Sequence, residues 1–179
     1  KGPALVEAVA RLQPDVLVVR STKAPAEVLG AAPLKLVIRA GSGYDNIDIA
    51  AAVRLGIPVA NCPRMNSVAV AELAFAFIAA MDRRLPENLD ALRAGQWRKG
   101  EFAKAHGLFG RTLGIVGVGS IGSELVHRAR AFGMHVVGWS RSLTPMKAAD
   151  LGLLRLGSPE EVAAASDVVS LHMVLADDT

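Results

Sequence analysis

An α/β fold built on parallel sheets is what this sequence predicts, and two observations carry the reading. Through the first half, short apolar runs of strand length alternate with helical patterns. Such alternation puts helices on the faces of a parallel sheet. In the second half the apolar run Leu113-Gly-Ile-Val116 leads straight into Gly117-Val-Gly119-Ser-Ile-Gly122, and an amphipathic helix follows from Glu124 to Phe132. Strand, G-x-G-x-x-G turn and helix, in that order, form the layout a dinucleotide needs. The first glycine allows a sharp turn, the second lets main-chain N–H groups approach a pyrophosphate, and the third lets the helix lie close on the strand.

Taken in order, the strands of the first half are expected at Val16 to Arg20, Leu36 to Arg39 and Ile57 to Ala60, with helices at Ala24 to Ala31 and Ile47 to Leu55. Asn66-Ser67 is read as the N-cap of a long helix, apolar nearly all round, that reaches Asp82 or Arg83 before Pro86 interrupts it. A helix so apolar needs cover on several sides, which places it at the junction of two domains. Gly95 to Gly110 reads as a solvated basic linker, with Trp97, Arg98, Lys99 and Lys104 interleaved with glycines. Beyond it, strands are expected at Thr112 to Val116, His135 to Trp139, Leu153 to Leu156 and Asp167 to His172, with helices beginning near Ser120, Thr144 and Ser158. Ser158-Pro159-Glu160-Glu161 combines a serine cap, proline at the first helical position and acids in the first turn. The second half is thus a Rossmann-type doubly wound parallel sheet, truncated after four strands where the usual fold has six.

Composition bounds the function. At 179 residues and 51% hydrophobic content the chain can bury a real core and spread over more than one domain. Twenty basic against seventeen acidic residues leave a net charge of +3, and the basic residues are scattered rather than gathered into the stripe nucleic acid requires. The most apolar segment, Val68 to Met81, carries Glu72 and falls short of the ~20 residues of a bilayer span. It is therefore read as a buried helix, and neither nucleic acid nor membrane is expected as a partner. Cys62 is the only cysteine, which excludes an internal disulfide and fits a reducing, cytoplasmic compartment. Its favoured reading is a small buried apolar residue. The opening on Lys1 and the end at Thr179 suggest a piece of a longer protein.

Ligands in such sheets bind beyond the carboxyl ends of the strands. One such place is the turn from Gly117 to Gly122. Another is Gly41-Ser42-Gly43-Tyr44-Asp45-Asn46, where the amides of Ser42 and Gly43 can turn outward as a nest for a carboxylate. The alternative there is an ordinary Gly-rich turn with Asp45 or Asn46 capping the next helix. Past the second strand of the nucleotide unit, the place that usually holds an acid for the ribose hydroxyls has Trp139-Ser140-Arg141-Ser142, and no acid comes until Asp150. A guanidinium flanked by hydroxyls suits a 2′-phosphate, so NADP is the preferred cofactor, with NAD the other candidate. Arg141 covering the adenine face is the competing role. Of the four histidines, His106, His127 and His135 fit linker, surface or packing roles, while His172 ends a strand on the ligand side. No metal-ligand spacing and no nucleophile elbow is present.

Arg39-Ala-Gly41-Ser-Gly43-Tyr-Asp45-Asn46-Ile-Asp48, Asn66-Ser67-Val-Ala-Val-Ala-Glu72-Leu73 and Gly117-Val-Gly119-Ser-Ile-Gly122 together closely resemble the D-isomer-specific 2-hydroxyacid dehydrogenases. That family includes phosphoglycerate, glyoxylate and hydroxypyruvate reductases and formate dehydrogenase. The resemblance implies a cofactor domain inserted into a flavodoxin-like substrate domain. Residues 1–100, with an interdomain helix at about 67–83, would be the first part of the substrate domain, and residues 101–179 an incomplete dinucleotide-binding domain. It implies substrate-side positions at Ser42, Gly43 and Asn66, and cofactor positions at Gly117, Gly119, Ser120, Ile121, Gly122, Ser140, Arg141, His172 and Met173. Ser140-Arg141 in place of the ribose-binding acid is similar to the family's NADP-preferring reductases, and Val174 stands where many members have proline. The family's catalytic Arg, Glu and His are expected beyond Thr179, so no catalytic residue is assigned here and the chain alone should not turn over a substrate. The activity implied is hydride exchange between NAD(P)H and a 2-oxo or 2-hydroxy acid such as glyoxylate or hydroxypyruvate, in a full-length homodimer. The alternative is a dinucleotide-sensing binding protein like the corepressors that share the fold.

Overall fold

The computed structural model describes residues 2–174. The chain divides into two compact units, residues 1–66 and 67–179. The division expected near residue 100 falls inside the second unit.

In the first unit, α1 (Gly2–Leu12), β1 (Val16–Val19), α2 (Ala26–Leu29), β2 (Leu36–Arg39), α3 (Ile49–Arg54) and β3 (Val59–Asn61) follow one another. The sheet is parallel in the order β1-β2-β3. The sequence reading missed α1, which sets Leu5, Val6 and Val9 against a core of Val19, Val28, Leu29, Val37, Ala51, Ala52 and Ile57. It stops at Gln13, which takes a left-handed backbone and sends its side-chain amide back to the Ala10 carbonyl. β3 starts two residues later than expected: Ile57 is buried in the core, and Pro58 has no N–H for a ladder and offers only its carbonyl to the Val37 amide. The cap of α3 is Asp48, whose Oδ1 accepts from Ala51 N at 2.8 Å. Neither Asp45 nor Asn46 caps it, since Asn46 is turned to the Thr22 carbonyl at 2.7 Å.

The second unit runs α4 (Ser67–Asp82), α5 (Leu85–Arg93), α6 (Lys99–Phe102), β4 (Thr112–Val116), α7 (Ser120–Ala131), β5 (His135–Trp139), α8 (Pro145–Leu151), β6 (Leu154–Arg155), α9 (Pro159–Ala164) and β7 (Val168–Leu171). All four strands are parallel, in the order β6-β5-β4-β7. Numbered within the unit, this is 3-2-1-4, the first four strands of the doubly wound order, with its switch point between β4 and β7. The core joins Leu113, Ile115 and Val136 of the sheet to Leu125, Val126 and Ala129 of α7, and to Ala71, Phe75 and Ile78 of α4.

Several local expectations change. Ser67 is the first residue of α4, and its buried hydroxyl has no partner among the described residues, so it does not cap the helix. Only one face of α4 is covered, because Ala71, Phe75 and Ile78 lie on the core side while Leu73, Phe77 and Met81 are exposed at i, i+4 spacing. Pro86 opens α5 rather than merely ending α4, a place where its missing N–H costs nothing. The stretch from Gly95 to Gly110 is more than a solvated linker: it forms α6, buries Phe102, and sets the Arg84 guanidinium 5.1 Å from the Phe102 ring centroid. Cys62 is exposed, in the turn after β3. No helix among the described residues is long and apolar enough to cross a membrane.

Asp82 at the end of α4 ties this region to the sheet. Its side chain is 5% exposed and accepts from Gly107 N at 3.1 Å and from Arg111 Nη1 at 3.3 Å, while Arg111 also faces Asp167 at 3.7 Å. Replacing Asp82 with Ala strands the Gly107 amide and takes one of two carboxylates from Arg111. Because Arg111 keeps Asp167, the expected loss is about 2–3 kcal/mol, below the full cost of breaking a buried pair. Urea denaturation of D82A against wild type measures it.

Candidate functional site

The residues expected on the cofactor side lie at the carboxyl edge of the second sheet, each delivered by a strand end. β4 turns at Gly117, whose N–H bonds to the Trp139 carbonyl at 2.8 Å and so joins the Gly-rich turn to the end of β5. β7 ends at Leu171, and His172 N continues the ladder to the Val116 carbonyl at 2.8 Å.

The three glycines of the turn have three different environments. At Gly117 the backbone φ is +99°, and a Cβ would stand 2.6 Å from the His172 carbonyl carbon. At Gly122 it would stand 2.5 Å from the Gly117 oxygen. At Gly119 it would meet nothing within 4 Å. The first and third glycines are therefore required by the protein's own packing, and the middle one leaves an open place against the main chain.

That place is lined by donors. Gly119 precedes α7 with extended backbone, and the first amide of this stretch with an acceptor is Ser123 N, bonded to the Gly119 carbonyl at 3.0 Å. Among the described residues the amides of Gly119, Ser120 and Ile121 have no intrachain acceptor. Unpaired N–H groups at the positive end of a twelve-residue helix suit a pyrophosphate. A dinucleotide thus fits this chain on two counts: the cradle that a Cβ at Gly119 would fill, and the Ser140 hydroxyl, buried just past β5 without a partner among the described residues. Arg141 follows it and is exposed. On the other side of the switch point, Met173 reaches to within 3.1 Å of where a Gly117 Cβ would be. His172 Nε2 lies 2.9 Å from Ser170 Oγ, and burial pushes its imidazole below the ordinary histidine range. Burial thus favours the neutral ring.

The loop after β2 in the first unit is built differently from the expected nest. Neither Gly41 nor Gly43 takes a positive φ, so the alternating conformation of a nest is absent. Gly41 is instead covered by the Arg39 guanidinium, which fills the space a Cβ there would need. The amides of Ser42 and Gly43 nevertheless have no intrachain acceptor among the described residues. Asn61 holds the loop through the Ser42 carbonyl at 2.7 Å, and the Ser42 hydroxyl accepts from Arg64 N at 3.3 Å. Asn66 lies in the same turn as Arg64, and among the described residues no hydrogen bond joins it to the Ser42-Gly43 loop. Sequence reasoning assigned no role to Arg39. Its Nε is buried, with no partner among the described residues, and its place as the last residue of an otherwise apolar strand was the available signal.

Comparison with known proteins bears on the family and the fold. Residues 75–179 match the D-isomer specific 2-hydroxyacid dehydrogenase, NAD binding domain. The chain is 40% identical over 167 residues to D-3-phosphoglycerate dehydrogenase of Methanocaldococcus jannaschii, covering 92% of this chain and 32% of that protein. It is 39% identical over 176 residues to the D-3-phosphoglycerate dehydrogenase of Homo sapiens, covering 97% and 33%. The chain therefore spans about a third of the length of these curated relatives. Among solved structures, the TT0316 protein of Thermus thermophilus superposes with a TM-score of 0.87 at 34% identity, covering 98% of this chain and 55% of that one. An acyclic imino acid reductase, Bsp5, in complex with NADPH and D-Arg gives 0.86 at 30% identity, covering 99% and 57%.

Proposed function

The chain belongs to the D-isomer-specific 2-hydroxyacid dehydrogenase family, and from that membership we propose that it is the nucleotide-binding and leading substrate-binding part of an NADP-preferring oxidoreductase acting on a small 2-oxo or 2-hydroxy acid such as glyoxylate or hydroxypyruvate. The observation that carries the cofactor preference is Ser140-Arg141 just past β5, where a ribose-binding acid would otherwise stand. A similar chain was solved with NADPH bound.

When bound, the nicotinamide exchanges a hydride with C2 of the acid. The chain's own residues position the reactants. The amides of Gly119, Ser120 and Ile121 hold the diphosphate, and Arg141 meets the 2′-phosphate while the Ser140 hydroxyl turns to the ribose. His172 and Met173 border the cofactor's path at the switch point. In the first unit, Ser42 and Gly43 offer two amides to a carboxylate, with Asn66 on the substrate side. Residues 1–100 are read as the start of the substrate domain and 101–179 as the start of the nucleotide domain. The exposed stripe Leu73, Phe77, Met81 on α4 supports a homodimer of the full-length protein, since a face of that kind is seldom left in water.

A second substrate reading has its own observation. Arg20 and Lys23 follow β1, Arg39 ends β2, and none of the three makes an ion pair among the described residues. Three uncompensated cations near the carboxyl ends of two strands suit a phosphorylated acid, in line with the names of the phosphoglycerate dehydrogenases it matches.

The test is Arg141→Asp with NADPH and NADH titrated calorimetrically. A charge-assisted contact is worth ~1.5–3 kcal/mol, so NADPH binding should weaken by about ten- to a hundredfold while NADH binding changes little. Equal losses for the two cofactors would remove the NADP reading.

A further inference from the structure

Lys147 is a cation turned toward the Gly-rich turn from another element. It sits in the first turn of α8, where its own N–H is accepted by the capping Thr144 hydroxyl at 3.2 Å. Its half-buried side chain reaches back across the sheet edge, and Nζ donates to the Val118 carbonyl at 3.0 Å. Val118 lies between Gly117 and Gly119. An ammonium has three donors, so two are left after that bond.

Two features set this contact apart from a surface lysine's. Asp150 lies three residues further along the same helix, at the spacing of a helical ion pair, yet Lys147 makes no ion pair among the described residues. The turn after β5 is also braced by a cation bound to a carbonyl. Leu143 N closes it on the Ser140 oxygen at 3.1 Å, and Arg155 Nε donates to the Leu143 carbonyl at 2.9 Å. Arg155 has no acidic partner among the described residues either. The Gly-rich turn and the turn after β5 are the two segments that flank the adenosine ribose of a dinucleotide on this fold. Each carries a positive charge held by main-chain oxygen and not cancelled by a carboxylate.

We infer that Lys147 is a specificity-determining residue that supplies, beside Arg141, a second positive charge to the 2′-phosphate of NADP. The inference rests on the NADP reading above and extends it to a position with no place in the glycine motif. Arg155 acts through the turn it braces and is a positioning residue.

The experiment is calorimetric titration of the 179-residue chain with NADPH, NADH and adenosine 2′,5′-bisphosphate, for wild type, Lys147→Gln and Lys147→Arg. K147Q should weaken NADPH and the bisphosphate about tenfold and leave NADH within about twofold, the scale of one charge-assisted contact. K147R, which keeps the charge, should retain most of the wild-type preference. Equal weakening of NADPH and NADH in K147Q would mean that Lys147 only holds the Val118 carbonyl, and would overturn the inference. An unchanged NADPH affinity would overturn it too. Wild type binding both cofactors equally would remove the NADP reading and the inference with it, whereas a wild-type preference that survives in K147Q removes the inference alone.

Discussion

Gly119→Ala should abolish tight dinucleotide binding while leaving the fold intact. The added methyl meets no protein atom within 4 Å, and the extended backbone at Gly119 is open to an alanine, so the melting temperature should stay within about 2 °C of wild type. The same methyl would stand where the proposed function puts a diphosphate, within hydrogen-bond reach of the Gly119, Ser120 and Ile121 amides. Losing two charge-assisted bonds of ~1.5–3 kcal/mol each weakens binding about a hundredfold or more. Calorimetric titration with NADPH and NADH, run beside thermal melts, checks both halves. A variant that binds as wild type does would mean that the open place at Gly119 is not the cradle.

Gly117→Ala should do the reverse and damage the fold itself. Its φ of +99° is strained for any residue with a Cβ, and that atom would press on the His172 main chain at 2.6 Å. His172 cannot yield cheaply, because its amide extends the β4–β7 ladder to Val116. Backbone strain of ~1–3 kcal/mol adds to overpacking of similar size. The second unit should therefore lose about 2–6 kcal/mol, a large share of a typical domain's stability. Urea denaturation followed by far-ultraviolet circular dichroism measures it, and a loss below about 1 kcal/mol would contradict the packing described.

The contrast between these glycines shows which parts of the molecule were legible in its residues. β2, β4 and β5 fall on the expected residues, because each is a short apolar run bounded by turn formers, and Ser158 caps α9 by accepting from Glu161 N at 3.2 Å, as its local pattern indicates. The strand-turn-helix form of the Gly-rich turn was readable because glycine spacing encodes main-chain geometry directly. The loop after β2 was less so. Its form depends on Arg39 folding over Gly41 and on Asn61, distant in sequence, holding the Ser42 carbonyl. α5 and α6 were hidden by the punctuation of Pro86 and the glycines, where proline proved to start a helix rather than only end one. Lys147 was invisible for a similar reason, since only the packed sheet edge brings α8 to Val118.

The second sheet is lopsided at its margins. On one side it finishes in β6, two residues long, and on the other in β7, four residues long with Val169 and Leu171 facing solvent. A two-residue border gives an incoming strand almost no main chain to join, whereas the longer one offers a usable row of donors and acceptors beside a greasy surface. Among the described residues the β7 margin is therefore the better of the two for pairing with a further strand.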